Sequence, residues 1–560
     1  MLAAMWFGIA IAALGVLDVG HIYFVRRDLQ RTADLAATAA AQTIGSAGGC
    51  GAASASAQGS ATANGLPASG SVQVTCGRWD PSANSVSPYF STTTRPQNAA
   101  RVTVNQSVPY FFLVGPPLPL SATATAQATD IRSFSLTTAV AALSGGALNG
   151  LLNGLLHTNL NLSVLSYQGL ATTQVKLGDL AVALGAGSIS QLLTTQVTLN
   201  QLAVALQVAA NQGNTLTATV SSALGTIAAA IPGGTKISIG SMLSVGLGDP
   251  QAAVSATVNV LDALMVGAEV ANGQNAINLG AALNLGPIAN VSAQAKIIEP
   301  PVIAVGEAGQ NPGGTWRTSA HSAQVRVYLS VQLLNLNLGI VNVSALNLPI
   351  YIEAAPGTAY LQSTQCSTSR ASSQSTIVAQ AGIASLCVGG DAAANFSNTT
   401  TPGTCLQPVK VTDVSLLPPL LPPLVTVYVG NPNTNTGLSL SLQAPSPASM
   451  VFNGVAGDSD DYQSTNSNAV GGATSGLLTQ VVAQLPNSLY VTLLGIPVLG
   501  NSLISSAVSG VLSSVVTLVS PVLNSLDAIL VPLLQLLGVQ IGVSTVHDLG
   551  LACGQSQLVN

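Results

Sequence analysis

The hydrophobic positions of this chain begin as a block and only later become periodic. Leu2 to Leu17 (LAAMWFGIAIAALGVL) holds no charged side chain. The run then admits Asp18 and His21 and reaches Val25 before it meets Arg26 and Arg27. At helical rise these residues extend roughly 36 Å, against about 30 Å for the hydrocarbon core of a bilayer. Leu29 to Gln42 (LQRTADLAATAAAQ) continues in strong helix formers without Gly or Pro. The pattern predicts one long helix: a transmembrane anchor carrying Leu2, Trp6, Ile9, Leu14, Leu17, Asp18, Gly20 and Val25, then an alanine-rich extension. A cleaved secretory signal is the alternative. Its candidate A-x-A cuts, Ala37–Ala39 and Ala39–Ala41, lie more than ten residues past the apolar run, too far for a usual cleavage site.

Beyond the helix the period shortens to two. Residues 46–65, rich in Gly, Ala and Ser, read as loop, followed by strands at Ser71–Cys76, Arg101–Phe112 and Leu120–Thr129. The middle contains a duplication: TTQVKLGDLAVAL (Thr172–Leu184) and TTQVTLNQLAVAL (Thr194–Leu206) agree at ten of thirteen positions, 22 residues apart. Each predicts a short strand and then a helix, with Leu177, Leu180 and Leu184, or Leu199, Leu202 and Leu206, on one face. A weaker third copy runs from Thr257 to Gly273. Strands follow at Ala289–Lys296, Val302–Val305, Ala323–Leu334, Leu336–Val343, Leu348–Ala354 and Thr358–Gln362. In the third of these Val325, Val327, Leu329, Val331 and Leu333 alternate with Arg326, Tyr328, Ser330 and Gln332, one buried face and one wet face. LLPPLLPPL (416–424) is a proline-locked spacer before strands at Val425–Val429 and Leu438–Leu442. From Ser502 to Gln535 the only charge is Asp527. Polar residues recurring at helical spacing predict amphipathic helices docked on the body rather than a second span.

Composition narrows the function classes. Of 560 residues 48% are apolar, ample for a large core, while only 6% are charged. A net charge of −5 with no basic patch after Arg31 excludes a nucleic-acid partner. A surface kept soluble by Ser, Thr, Asn and Gln suits assembly or display outside the cytosol. Arg26 and Arg27, on the C-terminal side of the apolar run, would by themselves place the body in the cytoplasm. Composition argues the opposite, and an upstream basic stretch before Met1 would reconcile the two. Six cysteines, Cys50, Cys76, Cys366, Cys387, Cys405 and Cys553, form no CxxC and flank no His, so disulfides are expected rather than zinc or redox chemistry. Cys50–Cys76 is the natural local pair; the other four allow three pairings, with Cys366–Cys387 and Cys405–Cys553 the expected one.

The string Asp18, Val19, Gly20, then Leu29, Gln30, Asp34, Ala36, Ala37, Ala39 and Ala40 resembles the N-terminal segment of TadE/TadG-like Flp pilus-assembly proteins. In that family a membrane helix ends in a D-x-G step and runs into an LQ-x-x-x-D-x-A-A helix. Leu35 and Thr38 are less usual fillers. Further on, Cys76, Gly77 and Trp79 with Asn98, Ala99 and Arg101 again resemble TadG-like proteins. The resemblance covers residues 2–46 closely and extends to about 130. It implies a long helix running into a pilin-like sheet module, and a place in a tight-adherence pilus or secretion system.

Chemistry is scarce. His21, His157, His321 and His547 are isolated, and no hydrolase, metalloprotease or nucleotide-binding motif occurs. Asp458, Asp460 and Asp461 gather in GDSDDY, but EF-hand spacing and its closing Glu are absent, so a solvated turn is expected. The metal-binding D-x-S-x-S string of von Willebrand A domains, which some TadG-like proteins carry, is missing too. The expectation is an α+β chain: 1–46 transmembrane helix and extension, 47–135 small β module, 136–300 helix-rich duplicated region, 301–470 antiparallel β region, and 471–560 amphipathic helices and strands. It would be no enzyme, with no cofactor, metal or small-molecule substrate. It would be a single-pass bacterial inner-membrane protein with its bulk in the periplasm, and its partners would be the membrane and other Tad/Flp pilus-assembly proteins. A secreted or surface-displayed adhesin, released by signal cleavage, is the alternative.

Overall fold

The computed structural model describes residues 2–136, 145–278, 289–416, 425–465, 477–497 and 544–559, apart from short breaks within them. Alanine-rich propensity carries helix α1 without interruption over Leu2–Ile44. A second helix, α2 (Gly49–Ala63), lies where a loop was expected. Its composition is loop-like, yet Ala53, Ala57 and Ala61 recur every fourth residue and are all buried. Side chains this small let α2 lie close against α1, whose Ala33, Ala36, Ala37, Ala40 and Ala41 join the same core. Packing, not propensity, makes this helix.

Strands β1 (Ser71–Trp79), β2 (Ala99–Val108) and β3 (Leu118–Leu136) form an antiparallel meander under α1. Val102, Val104, Ala122, Ala124 and Ala126 point into the helices. β3 is longer than its expected ten residues because its second half is buried too, from Ile131 through Leu136. That half pairs with β4 (Ile303–Gly306) and with the C-terminal strand β5 (Thr545–Val559). β4 also pairs with Leu243–Gly246, in parallel.

The duplicated segments fold as predicted. Gln174–Lys176 leads into helix α3 (Leu177–Ala183), and Gln196–Thr198 into α4 (Leu199–Gln212). The weak third copy gives Thr257–Asn259 and α5 (Val260–Asn272). The strand of the first copy pairs with that of the third, Val175 opposite Val258. Thr198 and Gln201 close a capping box on α4, and Asn259 caps α5 through the amides of Leu261 and Asp262. The apolar faces of these helices share one core with an antiparallel sheet in the order 276–278, 289–299, 324–333, 346–354, 384–388, 438–442. The expected wet face of Gln324–Leu333 is not wet throughout. Arg326 is buried beneath the 392–404 segment, paired with Glu353 and donating to the carbonyl of Thr401.

The architecture is therefore α+β with mainly antiparallel sheets, but the transmembrane element is not supported. Among the described residues no helix is long and apolar enough to cross a membrane. Asp18 already bonds its own protein, packing of α1 on the module core begins at Leu29, and the charge-free turns before Asp18, residues 2–17, extend only about 24 Å. This removes the anchor role from Leu2, Trp6, Ile9, Leu14, Leu17, Asp18, Gly20 and Val25, and with it the single-pass inner-membrane location. The spacer at 417–424 and, apart from Thr517, the helices expected over 502–535 lie outside the described residues.

Three disulfides close the chain: Cys50–Cys76, Cys366–Cys553 and Cys387–Cys405. The first is the local pair expected; the other two differ from the pairing expected. Strand pairing decides the difference, since β5 brings Cys553 back beside the front of the chain, where Ser46 bridges Cys366. The sequence separations are 187 for Cys366–Cys553 and 18 for Cys387–Cys405. Chain entropy makes the longer crosslink worth about 2 kcal/mol more. Replacing Cys366 and Cys553 by Ser is expected to lower the urea midpoint clearly further than replacing Cys387 and Cys405, as read by equilibrium unfolding.

Candidate functional site: the apolar end of the helix-and-sheet module

The family-motif residues divide by role once placed. Leu29, Ala36 and Ala37 are buried against the sheet. Gln30 and Asp34 sit on the rim, where Gln30 Nε2 donates to Asp34 Oδ1 at 2.8 Å and to the Thr123 carbonyl at 3.3 Å. With Arg101, Leu558 and Val559 these two line a groove of about 660 Å³ between α1, β3 and the last residues of β5. The motif thus reads as the seam that docks a helix on a sheet.

Asp18 stands where that seam ends. Its side chain is fully buried, although the helix around it is exposed. Oδ1 accepts the Phe111 amide at 2.7 Å and Oδ2 accepts the Phe112 amide at 3.1 Å. These amides belong to the connection between β2 and β3, and His21 packs on the Phe111 ring with centroids 4.2 Å apart. One carboxylate therefore pins the hairpin tip to the helix. Hydrogen bonds to an ionised acceptor are about twice as strong as neutral ones. Around this pin the large apolar side chains face outward: Val16, Leu17, Val19, Tyr23 and Phe24 from the helix, Phe111, Phe112 and Val114 from the tip. Met5, Trp6 and Leu14 extend the strip. Of Leu2 and Ile9 only the helical backbone is described, and nothing lies within 4 Å of a Cβ built on Gly20. Exposed large apolar side chains gathered at one end of a module are candidates for an interaction site.

The remaining polar clusters are interior. Arg78 is fully buried, donating to Asp80 and to both oxygens of Glu307, and Arg317 adds a second cation 3.6 Å from each acid. Gly246 and Gly306 make room for this crossing, since a Cβ on either would meet Arg317 or Thr318. Arg132 pairs with Asp548 and holds the Asn453 carbonyl at 2.7 Å. Burial pushes the Asp548 carboxyl up, and Arg132 draws it back. Glu269, wholly enclosed, is pushed well above the usual carboxylate range by burial alone.

Ser135, Asp262 and His547 come together with hydrolase composition but not hydrolase wiring. The Ser135 hydroxyl donates to Asp262 Oδ2 at 2.7 Å, and His547 Nδ1 meets the same oxygen at 2.8 Å. A nucleophile needs its hydroxyl on the base, and here both partners share the acid. All three are buried, and Tyr462 stacks on His547 with centroids 4.1 Å apart. His321 lies 3.7 Å from Glu299, and His157 is outside the described residues. A cavity of about 220 Å³ beside α5 is lined by Leu155, Leu156, Leu199, Ile231 and Asn272, with no titratable side chain among the described residues. The acidic loop does converge: one ligating atom each from Asp458, Asp460 and Asp461 lies within 4.8 Å of the others. Sequence reasoning missed α2, the Arg78 network and the shared acid at Asp262. Only α2 left a signal, its four-residue alanine spacing.

Comparison with known families follows this geometry. The TadE/G-like Flp pilus-assembly family matches residues 1–43, and the Tad-like Flp pilus-assembly family matches residues 38–126. The front of the chain is that of a TadE/G-like Flp pilus-assembly protein. Together the two matches cover α1, α2, β1, β2 and the first half of β3, which is the module that Asp18 completes. A domain of unknown function, DUF8293, matches residues 144–269, the duplicated helical layer that follows the TadE/G-like front. No curated protein and no solved structure matches the chain.

The pin gives a direct expectation for the TadE/G-like module. Asp18→Ala removes the acceptor of both amides and should cost about 1–3 kcal/mol. Hydrogen exchange is expected to speed up selectively at Phe111 and Phe112, with β1 and the core of β2 unchanged.

Proposed function

We propose that this protein is a non-catalytic assembly component of a Flp/Tad pilus or secretion system, working by protein–protein contact outside the cytosol. The observation that carries the reading is the apolar end of the family-matched module, held rigid by Asp18. Three disulfides support an oxidising compartment, since such bonds persist where thiols are not kept reduced. The partners would be other Tad/Flp pilus-assembly proteins meeting Phe24, Phe112 and Val114.

The adhesin alternative, with release by a cut at Ala37–Ala41, fits the structure poorly. Leu29, Ala33, Ala36 and Ala37 are completely or almost completely buried in the module core. Cleavage there would strip the sheet of much of its cover.

A photo-crosslinking residue at Phe112, in cells assembling the pilus, is expected to capture a Tad/Flp pilus-assembly protein. Val114→Asp should abolish that adduct and reduce piliation while the purified protein keeps its Tm. Normal piliation and an unchanged adduct pattern in the Val114→Asp strain would overturn the reading.

A further inference from the structure

We infer that the loop Asn453–Asp461 is a calcium site, built where the front and the end of the chain meet. The carboxylates of Asp458, Asp460 and Asp461 each present an oxygen within 4.8 Å of the others. That span is about twice the 2.3–2.6 Å of a Ca²⁺–oxygen bond, so the three can share one coordination sphere. All the donors are hard oxygens, and the loop leaves one side open to solvent, since Asp458 is exposed and Asp460 half-buried. This combination suits Ca²⁺, which takes six to eight oxygens in loose geometry, water included.

Acidic loops are common without metals, and the decisive observation here is Asp461. The residue is 5% exposed, and its Oδ1 is buried with no hydrogen-bond partner. Its other oxygen accepts the Gly457 amide at 2.6 Å, which fixes the carboxylate beside Asp458 and Asp460. A buried carboxylate oxygen left unanswered costs free energy unless a cation or proton meets it. The other oxygens are met only by neutral donors. Asn453 Nδ2 reaches Asp458 Oδ2 at 2.8 Å and Asp460 Oδ1 at 3.1 Å, while the Asp460 amide reaches Asp458 Oδ1 at 3.1 Å. Among the described residues Arg132 and the His547 ring face the loop, the first committed to Asp548 and the second to Asp262. The loop thus concentrates three formal negative charges with no ion-pair partner.

The site also has a structural purpose. Arg132 of β3 holds the Asn453 carbonyl, and the Asp548 amide of β5 donates to the Asp461 carbonyl at 2.7 Å. An ion at the loop would therefore tie the two longest strands of the sheet to one another.

The test uses the full chain with Tb³⁺ as a luminescent stand-in for Ca²⁺, sensitised by Tyr462 next to the site. Saturable emission is expected, displaced by Ca²⁺ in the range of about 10⁻⁴–10⁻³ M typical of extracellular modules and not by equal Mg²⁺. Tm should rise with Ca²⁺. The double variant Asp458→Asn, Asp460→Asn alters only the solvent side of the loop and should weaken binding about tenfold or more while keeping its calcium-free Tm. Absence of saturable emission in the wild type would overturn the site. So would a double variant that binds as tightly or gains the same Tm.

Discussion

The backbone pairing of β3 with β5 is the constraint on which the rest of the structure hangs. Thr125–Leu136 pairs with Val546–Val559, so the last strand of the chain is laid against one that begins at residue 118. β3 also carries β2 on its other edge and β4 further along, so three regions of sequence meet on one strand. Non-local pairing of this kind is entropically expensive to form. It is reinforced where it is longest: Cys366–Cys553 ties β5 down, Asp130 Oδ1 accepts the Gly554 amide at 2.9 Å, and Gln42 of α1 bonds Ser556. The family-matched front is therefore not a free-standing head on a separate body; its sheet is completed by the chain's end.

A second consequence concerns where the few charges are. The chain has 14 Lys and Arg, and four of these, Arg78, Arg132, Arg317 and Arg326, sit in ion pairs with side chains at most 5% exposed. Their acids are Asp80, Glu307, Asp548 and Glu353. Buried pairs gain little net stability against an apolar core, because desolvation offsets attraction, but breaking one partner is costly. Two of them join elements distant in sequence, Arg78 linking β1 to the residue after β4 and Arg132 linking β3 to β5, while Arg326 and Glu353 face each other on paired neighbouring strands. They act as register marks, penalising any pairing that leaves an arginine alone. The same placement leaves the surface to uncharged polar side chains, which repel weakly and suit a protein that functions inside an assembly.

Local pattern was legible and assembly was not. The period-two runs gave β1, β2 and the strands from 289 to 365 nearly in place, and the duplicated TTQV segments gave α3 and α4 with their buried leucines. These signals are local, because a strand or helix face is written in neighbouring residues. The stretch 46–65 misled because Gly, Ala and Ser signal loop in isolation, and only the surface of α1 makes an alanine stripe worth burying. Arg326 misled in the same way, its charge reading as solvent-facing until a distant segment covers it. Among candidate site residues, the motif from Leu29 to Ala37 was readable as part of a helix, but its docking on a sheet was not. The acidic cluster at 458–461 was legible as a local string, but the carbonyl of its buried member Asp461 accepts the Asp548 amide of β5, and no spacing rule reports a strand arriving from the far end of the chain.

Asp18 shows most clearly how one residue changes meaning between sequence and fold. In an apolar run a carboxylate reads as a membrane-depth charge awaiting a partner. Its partners are two backbone amides 93 and 94 residues further along the chain. A flexible hairpin tip would lose conformational freedom on meeting another protein, and that loss would weaken the contact. Held by Asp18, the tip and helix present Tyr23, Phe24, Phe112 and Val114 in one fixed arrangement before any partner arrives, so most of the ordering cost falls on folding rather than on binding. On the proposed reading, the D-x-G step of this sequence would pre-organise an interface, with the carboxylate inside and exposed apolar residues around it.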